Sequence, residues 1–138
     1  MAMYPDRTRI LALLYIASPL LQYERVSRGF PSYGRQKMDV YECIRTRRTV
    51  REFKPDPVPD AIVHKILRAG RWAPSSSNTQ PWHFVVVRGR ETIAAIGRIA
   101  TQGTFIGQAP LAIAIVMENA RRPQLDAGRA LQQMELMA

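Results

Sequence analysis

The chain has 138 residues, 46% of them hydrophobic, and carries 20 Lys+Arg against 11 Asp+Glu for a formal net charge of +9. That length allows one domain with a modest core, and the basic excess points to phosphate-bearing partners such as nucleic acid, anionic lipid or a phosphorylated cofactor. A single cysteine excludes an internal disulfide or cysteine metal cluster, His64 and His83 make no zinc set, and no apolar run approaches the roughly 20 residues of a bilayer span.

Residues 1–37 differ from the rest. They hold six basic and two acidic side chains, against fourteen and nine in residues 38–138. Arg7 and Arg9 precede an apolar stretch from Ile10 to Leu21, in the manner of a signal peptide. Gln22, Tyr23, Glu24 and Arg25 follow it, and no small-x-small cleavage site does. The favoured reading is an N-terminal extension outside the core, with Met38 as an alternative start and residues 38–138 as the domain.

From Met38 the pattern is regular. Asp39 suits the N-cap of a helix with Val40, Cys43 and Ile44 on one side. Lys54 to Pro59, with three prolines, reads as an extended connector. Asp60 is expected to cap a second helix bearing Ile62, Val63, Ile66 and Leu67. A Pro/Ser/Asn-rich loop follows from Trp72 to Trp82, its two tryptophans implying that it packs. Phe84 to Val87 predicts a buried strand, Ile93, Ile96 and Ala100 a helix, and Leu111 to Met117 a second strand entered through Pro110. After Pro123 a helix presents Ala127, Leu131, Met134 and Ala138 on one face, and the chain stops within it. Helices alternating with two short strands suggest a mixed α/β layer, left unfinished.

Two clusters could carry chemistry. Arg47, Arg48, Thr49 and Arg51 leave the first helix and offer three guanidinium groups and a hydroxyl to a phosphate. An extended backbone there would put Thr49 and Arg51 on one face and turn Val50 inward. The plainer reading is a solvated basic helix end, where cations suit the dipole. The second cluster, Ser75, Ser76, Ser77, Asn78, Thr79 and Gln80, lies between Pro74 and Pro81. Its donors and acceptors suit a polar heteroaromatic edge or a sugar alcohol; the plainer reading is a surface loop. Cys43 is read as a buried, inert thiol, His83 as structural and His64 as solvent-facing.

Together these segments resemble the nitroreductase family. Arg47-Arg48-Thr49-Val50-Arg51-Glu52-Phe53 matches the family's Arg-Arg-Ser-x-Arg-x-Phe, with Thr for Ser, and Ala73 to Trp82 matches Ala-Pro-Ser-x-x-Asn-x-Gln-Pro-Trp in full. Ala109-Pro110 before a strand, and Asp126-x-Gly128-x-Ala130-x-Gln132, agree as well.

The resemblance implies an α+β fold, a mixed sheet flanked by helices, truncated here at its C-terminus. It implies a cytoplasmic homodimer holding FMN at the subunit interface, reduced by NAD(P)H and reoxidised by a nitroaromatic, quinone or similar small-molecule acceptor in a ping-pong scheme. Arg47, Arg48 and Thr49 would contact the FMN phosphate and ribityl chain, and Arg51 the pyrimidine edge. Ser75, Ser76, Ser77 and Asn78 would reach the partner's flavin, and Gln102 or Gln108 would add a pyrimidine contact. No protein acid or base, metal or membrane is required. Other readings are flavin fragmentation or reductive dehalogenation on the same fold, and an inactive fragment. A nucleic-acid-binding module using Arg45 to Arg51 on phosphates is the reading from another class. It leaves the serine loop unused and has only Phe53 as an aromatic near the arginines.

Overall fold

The computed structural model describes residues 13–15 and 39–138. Its described elements are strand β1 (Leu13–Tyr15), helices α1 (Val40–Thr46) and α2 (Asp60–Arg71), strand β2 (Trp82–Val87), helix α3 (Arg90–Ile99), strand β3 (Ala112–Met117) and helix α4 (Pro123–Met137). Two short 3-10 segments, Ser76–Asn78 and Thr104–Gln108, punctuate the loops.

The sheet runs β1-β3-β2, antiparallel throughout. β3 is central, as its unbroken Ala-Ile-Ala-Ile-Val-Met sequence requires, because an apolar strand is best covered on both edges and both faces. Its Ile113, Ile115 and Met117 are buried, and opposite them in register stand Val86, Phe84 and Trp82 of β2. These rows face Val63 and Ile66 of α2 and Ala127, Ala130 and Met134 of α4, which complete the core. Small residues let the layers close. A Cβ on Gly70 would stand 2.9 Å from both Met134 Sδ and Phe84 Cζ, so the bare position lets these side chains of α4 and β2 pack directly on α2.

The structure adds one strand to the two expected. Leu13 to Tyr15 pair with Ile115 to Ile113, so three residues ahead of Met38 lie along the sheet edge. The remainder of the signal-like segment falls outside the described residues.

Three further expectations change. Asp60 is the first residue of α2 rather than its cap; Pro59 holds the cap position, and Asp60 pairs with Arg88 instead. Proline suits a helix entrance, where a missing N–H costs nothing. Trp72 is 81% exposed while Trp82 is buried, so only the second tryptophan anchors the loop. Cys43 is half-buried, its Sγ 3.4 Å from the Leu136 carbonyl, because the one face of α1 that meets α4 covers it only partly. Asp39 does cap α1, its carboxylate accepting from the Glu42 amide at 2.8 Å. His64 faces solvent, and His83 lies on the exposed side of β2 with Nε2 2.7 Å from Glu118.

Candidate functional site: an arginine segment and a polar turn

α1 ends at Thr46, and the chain leaves it extended. Arg47, Arg48, Thr49 and Arg51 are all exposed, while Val50 and Phe53 are half-buried. The guanidiniums are steered by local bonds. Arg48 donates to the carbonyls of Arg45 and Arg47 at 3.0 and 2.9 Å, and Arg47 donates to Thr49 Oγ1 at 3.4 Å. Arg47 also stands 3.7 Å from Glu135 on α4, an exposed pairing that adds little stability but directs the side chain. One turn back, Glu42 pairs with Arg45 at 2.7 Å, and that hydrogen bond, with the carboxylate's charge, raises the Arg45 pKa further.

Arg51 reaches a different element. Its guanidinium lies 5.7 Å from the Phe105 ring centroid, and Phe105 stacks with Phe53 at 6.4 Å. Phe105 belongs to the 3-10 segment Thr104–Gln108, so the arginine segment is tied to the element that ends in Gln108, with Gln102 two residues before its start. Both glutamines are exposed. This segment is held close to α3 by bare backbone: a Cβ on Gly97 would lie 2.6 Å from the Gly107 nitrogen. Nothing in the sequence pattern marked Phe105; an isolated aromatic in a loop carries no periodicity.

The polar turn is built from unusual backbone. Ser77, Asn78 and Gln80 have φ of 55°, 54° and 48°, conformations that L side chains adopt at a cost of roughly 1–2 kcal/mol each, less for asparagine. Side chains hold it: the Gln80 amide donates to Ser75 Oγ at 2.9 Å, and Gln80 Nε2 donates to Asn78 Oδ1 at 3.1 Å. The deepest anchor is Asp126 in the first turn of α4, fully buried, whose Oδ1 accepts from the Ser76 amide at 2.9 Å and the Ser76 hydroxyl at 3.0 Å. Arg129 stands 3.5 Å from the same oxygen. The Asp-x-Gly spacing was legible, but an acid in a first helical turn reads equally well as a solvent-facing response to the dipole.

The two clusters do not merge within the chain. Arg47 meets α4 at Glu135 and Ser76 meets it at Asp126, nine residues apart, or roughly 14 Å along the helix axis. Ser77 and Asn78 remain exposed.

This architecture has close counterparts. The nitroreductase family model matches residues 44–133, from α1 through most of α4. The chain belongs to the nitroreductase family. A protein of Methanothermobacter thermautotrophicus assigned as an NADH dehydrogenase/NAD(P)H nitroreductase is 40% identical over 83 residues, covering 60% of this chain and 44% of that one. An iodotyrosine deiodinase of Daphnia pulex is 36% identical over 80 residues, 58% of this chain and 26% of that one. Among solved structures, a protein of Desulfovibrio desulfuricans assigned as a nitroreductase, crystallised in complex with FMN, superposes with a TM-score of 0.61 at 34% identity. That match covers 75% of this chain and 63% of the other. The nitroreductase-family chain thus spans less than half the length of such sequence relatives, and its fold is the α+β fold of the family. Among the described residues no helix is long and apolar enough to cross a membrane, and no cluster of metal-ligating side chains occurs.

Proposed function

We propose that this chain forms part of an FMN-dependent oxidoreductase that passes hydride equivalents from NAD(P)H to a nitroaromatic, quinone or similar acceptor. The observation that carries the proposal is the convergence of Arg47 and Thr49, 3.4 Å apart, beside the exposed Arg48. Clustered guanidinium and hydroxyl donors at the end of a helix suit a phosphate monoester. FMN, when bound, supplies a ring that accepts hydride at N5 and returns two electrons to a second molecule, a ping-pong exchange in one site.

The chain's residues act as holders. Arg47, Arg48 and Thr49 grip the phosphate and ribityl chain. Arg51, held against Phe105, puts a fixed positive charge at the pyrimidine edge, where reduction develops negative charge. Gln102 or Gln108, tied to the same 3-10 segment, hydrogen-bonds that edge. Ser75, Ser76, Ser77 and Asn78 sit at the other end of α4, which favours their serving the flavin of a second subunit in a homodimer. The place of work is the cytoplasm, where the NAD(P)H pool is kept. A second reading, reductive dehalogenation on the same fold, is favoured by the likeness to the Daphnia deiodinase.

Anaerobic addition of NADH or NADPH to the FMN-loaded chain tests the reading. Bleaching of the flavin band, restored on adding a nitroarene or quinone, is expected. A flavin band that neither donor bleaches would overturn the proposed donor, and restoration by an iodinated phenol alone would select the second reading.

A further inference from the structure

The turn from Ser75 to Gln80 is hydrogen-bonded to one fully buried side chain outside it. Three of its residues hold positive φ, and each would relax toward ordinary backbone if released. The bonds within the turn, from Gln80 to Ser75 and Asn78, from Asn78 to the Ser75 carbonyl and from Thr79 to the Ser76 carbonyl, join exposed or half-buried residues and are open to competition from water. Asp126 differs. It has no exposed surface, and its Oδ1 takes both donors of Ser76, the residue immediately before the positive-φ pair. Its other oxygen, Oδ2, is buried without a hydrogen-bond partner among the described residues, so the carboxylate's attachment runs through Oδ1 alone. The first turn of α4 places it where the helix dipole favours an anion, and Arg129 stands alongside. A buried carboxylate costs free energy unless bonded, so Ser76 and Asp126 fix one another.

We propose that Asp126 is a positioning residue: by capturing the amide and hydroxyl of Ser76 it sets the Ser75–Gln80 turn in the conformation that presents Ser77 and Asn78 to a flavin. The link to a flavin rests on the proposed function; the clamp itself does not. Asp126 touches no reacting atom in this scheme and works through the turn.

The test measures two things on the full chain, as wild type, Asp126→Ala, Asp126→Asn and Ser76→Ala. Amide hydrogen exchange of residues 75–80, with β3 as internal reference, reads the turn without any cofactor. In D126A that segment exchanges faster by about tenfold or more while β3 keeps its protection; D126N, which retains an acceptor at the position of Oδ1, stays within about threefold of wild type. FMN affinity, by fluorescence titration, falls about tenfold in D126A and little in D126N. Wild-type exchange and wild-type FMN affinity in a folded D126A would overturn the proposal. If D126A also loses β3 protection, Ser76→Ala decides: it removes one bond without emptying the core, so faster exchange confined to 75–80 supports the clamp and unchanged exchange overturns it. Failure of the wild type to bind FMN would instead defeat the functional reading, while the exchange comparison would still decide whether Asp126 sets the turn.

Discussion

Arg48 donates only to the carbonyls of Arg45 and Arg47 among the described residues, both in its own segment, so its side chain holds no distant element in place. The replacement Arg48→Ala should therefore leave stability within about 0.5 kcal/mol, as is usual for exposed positions. It should weaken FMN binding by about tenfold, because a charge-assisted contact to phosphate is lost. A denaturation midpoint and an FMN titration measure the two effects separately. Equal loss in both would mean the arginine is structural. The two clusters themselves were legible in the sequence: Arg47 to Arg51 and Ser75 to Gln80 stand out by composition alone. Asp126 was legible as a motif letter and not as an anchor, since its burial depends on how α4 meets a turn 50 residues earlier. Trp72 and Trp82 look alike in sequence, yet only one finds a pocket in the core.

At the scale of elements, two glycines make opposite predictions. Gly97 allows α3 to lie against the segment Thr104–Gln108; a Cβ there would meet backbone at 2.6 and 2.7 Å, which cannot swing aside. Gly97→Ala should cost about 2 kcal/mol or more through overpacking, and should shift Phe105 and so Arg51. Gly128 lies within α4 with nothing inside 4 Å of its would-be Cβ. Gly128→Ala should raise stability of the isolated chain by about 0.5–1 kcal/mol, the ordinary helix preference. Chemical denaturation of both variants checks the pair. The helices and the two strands β2 and β3 were legible because periodicity and turn residues are local. β1 was not: Leu13 to Tyr15 find their partner 100 residues downstream, and an apolar run does not name its neighbour.

At the scale of the molecule, apolar surface is exposed among the described residues. Val40, Tyr41 and Ile44 of α1, Met137 of α4 and Trp72 are each more than half exposed, an arrangement associated with interaction surfaces rather than a solitary monomer. Sedimentation velocity across a concentration series should show reversible self-association, and a strictly monomeric chain would remove the support for a shared flavin site. The net charge of +9 fits a phosphate-bearing ligand. Mixing the purified chain with excess FMN, removing free flavin by gel filtration and recording the visible spectrum tests this most directly. A retained flavin band, at about one per chain, is the expected result. Colourless protein with its helices and sheet intact would contradict the assignment of Arg47, Arg48 and Thr49 to a flavin's phosphate and ribityl chain and of Arg51 to its ring.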